Sequence, residues 1–309
     1  MNIDILAQYL FSGLIYGSIY AVIALGFNIV YNATGIINFA QGEFVMLGGL
    51  LTHSFSAVLP LPLAILTAVA ITAAVGGLLE LVFIRNIGKL IRGKGSVSGG
   101  SGGGVMQLTI MTIGLSIGLR EIALKIWGEQ VQTVAFFSGT ESSSLSIGGA
   151  HFSPQLLWIM GAAALIFLLL TGFFKYTLSG QAMRACSASR TGSRICGIKA
   201  EAMVTFSFIL AAAIGAAAGA VTAPLTQTHY AIGTGLAIKG FTVAVFGGLG
   251  NSGAAVASGF ILGIIESFSI IIFPEAFKDV VSIVLLLAVL FARPSGLFGS
   301  REAGRLKEF

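Results

Sequence analysis

The chain has 309 residues, of which 56% are hydrophobic and only 9% are charged, and its mean hydropathy is +0.96. Soluble domains carry about 25% charged residues, so this composition excludes a soluble globular protein. The net charge of +5 is small and mostly confined to loops, which gives no support for nucleic-acid binding. We therefore predict an all-α, polytopic integral membrane protein.

Apolar segments long enough to cross a hydrocarbon core of roughly 30 Å recur along the whole chain. We predict about nine transmembrane helices in a single domain, residues 1–309. Eight or ten crossings remain possible if Gly35–Gly42 or Ala237–Gly250 is re-entrant. The first span contains Gly13-x-x-x-Gly17, a spacing that favours close helix contact. The nine segments are Leu6–Val30, Phe44–Leu59, Pro62–Ile84, Val105–Trp127, Leu156–Phe174, Val204–Val221, Gly233–Leu249, Ala254–Phe273 and Phe277–Ala292.

The distribution of basic residues predicts the orientation. Thirteen of the 17 Lys and Arg residues lie in Arg85–Lys94, Lys175–Lys199 and Arg293–Lys307, and the positive-inside rule places all three segments in the cytoplasm. The glycine-rich Gly95–Gly104, with the composition of a flexible tether, belongs on the same side. Gly128–Ser153 contains no Lys or Arg and is placed outside. Nine crossings then put the N-terminus outside and the C-terminus inside.

One polar stretch, Lys175–Met203, is unusually long for a connection between membrane spans. Its periodicity predicts two short helices broken near Thr191-Gly192, with small residues such as Gly180, Ala182 and Ala185 on one face. Two interpretations are open. The stretch is either a solvated loop whose charges only fix orientation, or a docking surface for a soluble partner.

Four groups of motifs carry a resemblance to a known family. They are residues 28–31 (NIVY) with 35–43 (GIINFAQGE), 180–185 (GQAMRA) with 197–198 (GI), 239–250 (KGFTVAVFGGLG), and 278–281 (KDVV) with 293–299 (RPSGLFG). In order and spacing they resemble the permeases of ABC importers, in particular the branched-chain amino acid class, over nearly the whole chain. After Ala185 that family tends to carry acidic residues, whereas this chain has Ser187–Arg190. The partner contact is therefore expected to differ in charge.

The resemblance implies a type II ABC-importer-like permease in the plasma (inner) membrane, forming one half of a translocation pore. The implied partners are a second related permease subunit, two cytoplasmic ATP-binding subunits and an external solute-binding protein. The implied solute is a branched-chain amino acid or a related small solute; urea, amides and other amino acids stay open, as does homodimeric or heterodimeric pairing of the permeases. Segment 175–201 corresponds to the cytoplasmic coupling loop, with Gly180, Ala182, Met183, Arg184, Ala185, Gly197 and Ile198 as the ATPase-coupling residues.

Two glycine-rich motifs resemble nucleotide sites but lack the context that such sites need. Residues 248–253 (GLGNSG) match a dinucleotide-binding turn, yet they lie between membrane segments. Gly88–Gly95 resembles a phosphate-binding loop but has glycine where Mg²⁺ needs Ser or Thr, and no strand precedes it. The three histidines are isolated from each other and from cysteine at ligand spacing. We therefore predict no cofactor, no metal and no enzymatic activity.

Four charged residues lie within apolar stretches: Glu43, Glu80, Lys239 and Glu266. A charge at the centre of a bilayer costs about 2.5 to 3.5 kcal/mol on insertion scales, so such residues face a protein interior or a partner. We expect about two of the four to be structural, and the roles of Glu80 and Glu266 stay open. Glu43 and Lys239 stand beside glycine breaks, where exposed backbone dipoles can also meet a solute. The predicted translocation pathway is Asn38, Gln41, Glu43 and Lys239.

Two alternatives remain from the sequence. Gly35–Asn38 before Phe44–Leu51 resembles Gly248–Asn251 before Ala257–Ile265, which indicates either an inverted repeat or chance similarity in a chain with 42 glycines. The alternative function is an ion-coupled secondary transporter or channel that acts without an ATPase. It would use Glu43, Glu80 and Glu266 as proton or ion sites.

Overall fold

The computed structural model describes residues 3–87, 102–138, 145–147, 150–274, 277–293 and 296–298. The predicted tether before Gly102, the Gly88–Gly95 motif and the basic tail after Phe298 lie outside these residues. Within them the regular secondary structure is helical apart from one short antiparallel hairpin, in which Leu145 is paired with Phe152, and one isolated bridge between Gln132 and Thr228. The all-α prediction is confirmed at this level.

The helices follow the apolar segments of the sequence in order. A π-helical turn, Glu80–Ile84, continues the third helix. The helices are α1 (Ile3–Thr34), α2 (Gln41–Ser56), α3 (Leu61–Leu79), α4 (Gly102–Trp127), α5 (Gln155–Tyr176), α6 (Leu178–Ala188), α7 (Arg190–Ile195), α8 (Ala200–Thr226), α9 (Ile232–Gly247), α10 (Ser252–Ser269) and α11 (Lys278–Ala292), and the hairpin strands are β1 (Leu145–Ile147) and β2 (Ala150–Phe152).

Six helices of the described chain are long and apolar enough to cross a membrane: α1, α3 with its π-helical turn, α4, α5, α8 and α10. The other three predicted spans are also helical, but α2 and α9 have 16 residues and α11 has 15. A perpendicular crossing needs about 20 residues. The chain is thus a multi-pass membrane protein with six candidate spans, and the nine full crossings are not established.

Helix α1 lies at the centre of the fold, in contact with α5, α8, α9 and α10. Its glycines allow the closest of these contacts. A Cβ atom on Gly13 would lie 2.8 Å from Cα of Ile264, and one on Gly17 would lie 2.8 Å from Cα of Phe260. Backbones at such separations leave no room for a side chain, so the predicted role of this glycine pair in helix packing is confirmed.

Two glycine breaks lie at the same end of α1. Gly35 ends α1 with a φ of +73°, and Gly250, with a φ of +97°, forms the turn between α9 and α10. Asn28 accepts a hydrogen bond from the N–H of Gly250 (3.0 Å), and Asn32 donates one to its carbonyl (3.1 Å). The residue 248–253 motif is therefore a turn clamped by α1. Equivalent parts of an inverted repeat lie on opposite sides of the membrane, so these two segments do not confirm one.

The polar stretch forms two short helices, as predicted, but the break lies earlier than expected. Ser189 is extended (φ −154°) between α6 and α7, and its hydroxyl accepts a hydrogen bond from the N–H of Gly192 at 3.1 Å. Serine is a strong N-cap residue because its side chain satisfies an otherwise free N–H of the first turn. The break predicted near Thr191-Gly192 therefore lies two residues earlier, and those two residues belong to the first turn of α7.

Candidate translocation and coupling sites

The break between α1 and α2 is built from polar contacts with α4. Thr112 donates a hydrogen bond to the carbonyl of Ile37 and accepts one from the N–H of Phe39, both at 3.1 Å. Asn38 is fully buried, and its Oδ1 accepts a hydrogen bond from the N–H of Ala40 at 3.2 Å. Its Nδ2 has no hydrogen-bond partner among the described residues. The break therefore holds a buried amide with unused donors.

Gln41 begins α2 and fills a gap between α1 and α8. Its Nε2 donates to the carbonyl of Ala211 at 3.1 Å. A Cβ atom on Gly215 would lie 3.0 Å from this Nε2, and one on Gly26 would clash with the same side chain. The glycines thus make room for the amide, and its buried Oε1 has no partner in the described part of the chain.

Glu43, in the first turn of α2, is fully buried and only partly hydrogen-bonded. Its Oε1 accepts hydrogen bonds from Ser116 of α4 (2.9 Å) and Thr234 of α9 (3.3 Å). Its Oε2 packs against Gly233 and has no partner among residues that the structure describes. A carboxylate oxygen buried without a donor is costly. Asn38, Gln41 and Glu43, named the Asn38–Glu43 cluster below, share this incomplete pairing.

Lys239 belongs to a different and more complete set of contacts. Its Nζ lies 3.3 Å from Oε1 of Glu266 and 3.0 Å from Oδ1 of Asp279, and it donates to the Tyr20 hydroxyl at 3.2 Å. Tyr20 also donates to Glu266 at 2.7 Å, and Ser282 donates to the other oxygen of that carboxylate. These five residues, named the Lys239 network, connect α1, α9, α10 and α11.

The last of the four charges named from the sequence, Glu80, links the π-helical turn after α3 to α8. Its Oε2 accepts a hydrogen bond from Thr205 at 2.5 Å, and the neighbouring Arg85 lies 3.4 Å from Glu201. The structure therefore separates the four predicted pathway residues into two places. Asn38, Gln41 and Glu43 share the start of α2, whereas Lys239 bonds to another face of the fold.

The predicted coupling residues do not all face outward. On α6, Met183 is 1% exposed, and a Cβ atom on Gly180 would lie 2.8 Å from Cα of Phe174, so both residues face α5 and the core. Ala182 is half-buried, while Arg184 and Ala185 are exposed. The prediction that Gly180, Ala182 and Ala185 share one face is wrong, because the buried positions follow a spacing of three residues through Gly180, Met183 and Cys186.

The remaining coupling residues lie at the turn into α8. Gly197 is exposed with a φ of +79°, a conformation that favours glycine, and Ile198 is half-buried. Two large apolar side chains of the same polar stretch are also exposed: Leu178 on α6 is 86% exposed, and Ile195 on α7 is 82% exposed. Sequence reasoning missed both residues, although each is an apolar residue within a polar stretch, which is the available signal.

Sequence reasoning also missed the polar residues that surround Glu43. Ser116 and Arg120 lie on α4, and Thr234 lies on α9. Arg120 was not counted among the charges within apolar stretches, although it stands inside the predicted span Val105–Trp127. The hydrogen bonds of Ser116 and Thr234 to Glu43 join residues far apart in the chain, so the only sequence signal was polarity within an apolar helix.

Comparisons with known proteins agree over nearly the full length. The family described as "Branched-chain amino acid transport system / permease component" matches residues 9–290. The high-affinity branched-chain amino acid transport system permease protein LivH of Escherichia coli is 31% identical over 320 residues, covering 97% of each protein. BraD of Pseudomonas aeruginosa, a permease protein of the same description, is 31% identical over 316 residues with the same coverage.

A more distant relative and one solved structure are also similar. The probable branched-chain amino acid transport permease protein LivH of Methanocaldococcus jannaschii is 24% identical over 301 residues, covering 93% of this chain and 90% of that protein. PsaBC from Streptococcus pneumoniae in complex with Fab gives a TM-score of 0.46 at 14% identity, covering 95% and 94% of the two chains. The extent of the family match and the identity to LivH and BraD show that this chain belongs to the family of permease components of branched-chain amino acid transport systems.

Proposed function

We propose that this protein is a permease subunit of an ABC importer that moves branched-chain amino acids or related small solutes across the plasma (inner) membrane. The observation that carries the proposal is the family match over residues 9–290, together with relatives whose names state this transport. The permease does no covalent chemistry. The energy comes from ATP hydrolysis on two cytoplasmic ATP-binding subunits, and a second related permease and an external solute-binding protein complete the transporter.

The proposed topology has nine crossings, with α2, α9 and α11 as short ones. Support comes from the helical state of every predicted span and from the basic residues around 85–94 and 175–199. Gln130 and Ser187 are exposed on the proposed outer and inner sides. In a cysteine-free background, an impermeant thiol reagent applied to intact cells should label Gln130→Cys and spare Ser187→Cys. The opposite pattern would refute the orientation.

The proposed coupling element is α6 with α7 and the turn into α8. Exposed Arg184 and Ala185, together with the uncovered side chains of Leu178 and Ile195, offer a mixed polar and apolar surface to a soluble partner. Thr177 caps α6 by accepting a hydrogen bond from the N–H of Gly180 at 3.0 Å, which fixes α6 at the end of α5. Movement of the ATPases would therefore reach the membrane helices through a stiff connection.

The proposed pathway includes Asn38, Gln41 and Glu43, which hold polar atoms without partners in the described chain. Lys239 also stays a pathway proposal, but its ion pairs with Glu266 and Asp279 give it a structural role as well. A solute passing the start of α2 would supply the missing hydrogen bonds for part of its passage. Such transient pairing stabilises the solute without trapping it.

The test of the proposed function is uptake by the complete transporter in proteoliposomes. Labelled leucine should accumulate when ATP is supplied to the ATP-binding subunits and the solute-binding protein is present, and labelled urea should not. Accumulation of urea but not leucine would reassign the solute. Uptake that persists without the ATP-binding subunits and follows an ion gradient would instead support the secondary transporter.

A further inference from the structure

Glu43 has an unused acceptor in a place where three helices meet. Both hydroxyl donors, from Ser116 and Thr234, bind Oε1, and Oε2 lies against Gly233 without a donor in the described chain. A Cβ atom on Gly233 would clash with this oxygen, so the glycine makes room for the carboxylate between α2 and α9. The carboxylate is therefore oriented by one oxygen and free to accept from a ligand with the other.

Arg120 has the opposite property on the neighbouring helix. Thr112, Ser116 and Arg120 follow each other at intervals of four residues, so they lie on one face of α4. The Nε of Arg120 is buried without a partner, while its side chain is 34% exposed. Its ion pair is with Glu121, the next residue in the chain, at 3.6 Å. Arg120 therefore has donors to spare.

Glu43 and Arg120 are connected through Ser116 but are not paired with each other. Ser116, which binds Glu43, lies one turn before Arg120 on the same face of α4, so the guanidinium group stands next to the contact that holds the carboxylate. No ion pair within 4.0 Å joins them among the residues that the structure describes. A separated acid and base, each with unused hydrogen-bonding capacity, can hold a ligand that carries both charges.

We propose that Glu43 and Arg120 bind the charged ends of a zwitterionic amino acid between α2, α4 and α9. The carboxylate of Glu43 accepts hydrogen bonds from the ammonium group of the solute, and the guanidinium of Arg120 donates to its carboxylate, a pairing that arginine forms well. This inference rests on the proposed function, because it takes the solute to be an amino acid. The inference adds to that function the groups that recognise the ammonium and carboxylate ends of the solute.

The surroundings suit an aliphatic side chain. Leu47, Leu119 and Ile232 belong to one apolar cluster on the same three helices. An amino acid placed with its charged ends at Glu43 and Arg120 would have its side chain among these residues, where each buried CH₂ group stabilises binding by about 0.8 kcal/mol. The Lys239 network offers no such site, because its lysine and its buried carboxylate already bind each other.

The test is competition for labelled leucine bound to the assembled transporter, purified without the solute-binding protein. Two analogues each lack one charge: 4-methylpentanoate has no ammonium group, and leucinamide has no carboxylate. We expect the wild type to prefer leucine at least tenfold over both. Glu43→Gln should bind leucine about as weakly as the wild type binds 4-methylpentanoate. Arg120→Gln should bind leucine about as weakly as the wild type binds leucinamide.

Matched controls separate recognition from folding. Glu43→Gln keeps an oxygen that can accept from Ser116 and Thr234, so its thermal unfolding should match the wild type. Glu129→Gln and Lys125→Gln remove exposed charges in and just after α4 and should bind all three compounds as the wild type does. The site is refuted if Glu43→Gln still prefers leucine tenfold over 4-methylpentanoate and Arg120→Gln still prefers leucine tenfold over leucinamide. It is also refuted if the wild type shows no saturable leucine binding.

The same variants distinguish this inference from the function on which it rests. Uptake is measured in the complete transporter with the solute-binding protein. If the wild type accumulates leucine and both site variants do so at the same rate, the zwitterion site is wrong and the proposed function stands. If the wild type accumulates no leucine, the proposed function fails, and the site fails with it.

Discussion

The Lys239 network and the Asn38–Glu43 cluster are both polar groups buried among apolar helices, but they differ in how completely they are paired. In the network, Lys239, Tyr20 and Ser282 together satisfy both oxygens of Glu266. In the cluster, Asn38, Gln41 and Glu43 each keep one buried polar atom without a partner in the described chain. The carboxylate of the network is therefore fully paired, whereas the cluster keeps buried polar atoms without partners in the described chain.

This difference in pairing predicts different roles, stability for the network and transport for the cluster. A buried polar group that is fully paired rigidifies the helices it connects, whereas an unpaired one costs free energy in the folded state. Proteins tolerate that cost at sites that bind a ligand. We therefore expect substitutions in the network to affect mainly the free energy of unfolding, and those in the cluster to affect mainly transport. The predictions run from the largest expected effect on stability to the smallest.

The largest effect is expected for Lys239→Met. It leaves Glu266 buried without its cation, and breaking a buried pair in this way costs about 3 to 5 kcal/mol. Asp279 is 75% exposed and contributes little to the loss. Thermal unfolding of the purified transporter measures the change, and a Lys239→Met variant as stable as the wild type would show that the network does not hold the helices.

A double variant sharpens this test. Lys239→Met with Glu266→Gln removes both charges together, and replacing a buried ion pair as a unit is often neutral. Most of the lost stability should return. Leucine uptake by this double variant then decides the second role of Lys239: uptake near the wild-type rate would make the residue structural only, and a loss of uptake with restored stability would place it in the pathway.

A smaller effect is expected for Thr205→Val, which removes the hydroxyl that binds Glu80 at 2.5 Å. A hydrogen bond to a charged group contributes about 1.5 to 3 kcal/mol, so unfolding should become easier by roughly 2 kcal/mol. Thr171→Val is the matched control, because Thr171 is exposed and its hydroxyl binds only a carbonyl of its own helix. Equal unfolding temperatures for the two variants would contradict a structural role of Glu80.

In the cluster the balance should reverse. Asn38→Ala removes one local hydrogen bond, to the N–H of Ala40, which is worth about 1 kcal/mol. Leucine uptake should nevertheless fall at least tenfold, because the unused amide donors are lost. Asn86→Ala, at an exposed position just after the π-helical turn Glu80–Ile84, is the control and should leave uptake unchanged. Uptake by Asn38→Ala at the control rate would make this residue structural.

The sequence predicted the helices better than the contacts between them. An apolar run such as Val204–Val221 indicates a buried helix by itself, and α8 covers it with a few residues added at each end. The partners of Gln41 and Glu43 are Ala211, Ser116 and Thr234, at least 70 residues away. Such pairings depend on which helices meet, and periodicity within one helix does not contain that information.

The coupling segment shows a second reason. Small residues at Gly180, Ala182 and Ala185 were expected to face a partner together, but Gly180 is small because α6 packs closely on the end of α5. Small side chains serve close packing within a chain and between chains alike. Only burial in the folded protein separates the two uses. The capping role of Ser189, in contrast, could have been read from the preference of serine for helix N-termini.

The smallest effect on stability, with a full loss of function, is expected for Ala185→Trp. Ala185 is exposed on α6, so a larger side chain meets solvent in the isolated permease and should change the free energy of unfolding by no more than about 0.5 kcal/mol. Gly180 does not serve for this test, because any side chain there would clash with the backbone of Phe173. If α6 fits into a groove of an ATP-binding subunit, the tryptophan blocks that fit.

We therefore expect Ala185→Trp to insert normally and to lose solute-stimulated ATP hydrolysis, together with co-purification of the ATP-binding subunits. Ala164→Trp adds the same bulk at an exposed position of α5 outside the coupling segment and should keep both activities. A solvated loop that only fixes orientation would tolerate either substitution, since all positive charges remain. Normal ATP hydrolysis and leucine uptake by Ala185→Trp would show that this face of α6 does not transmit the movement of the ATPases.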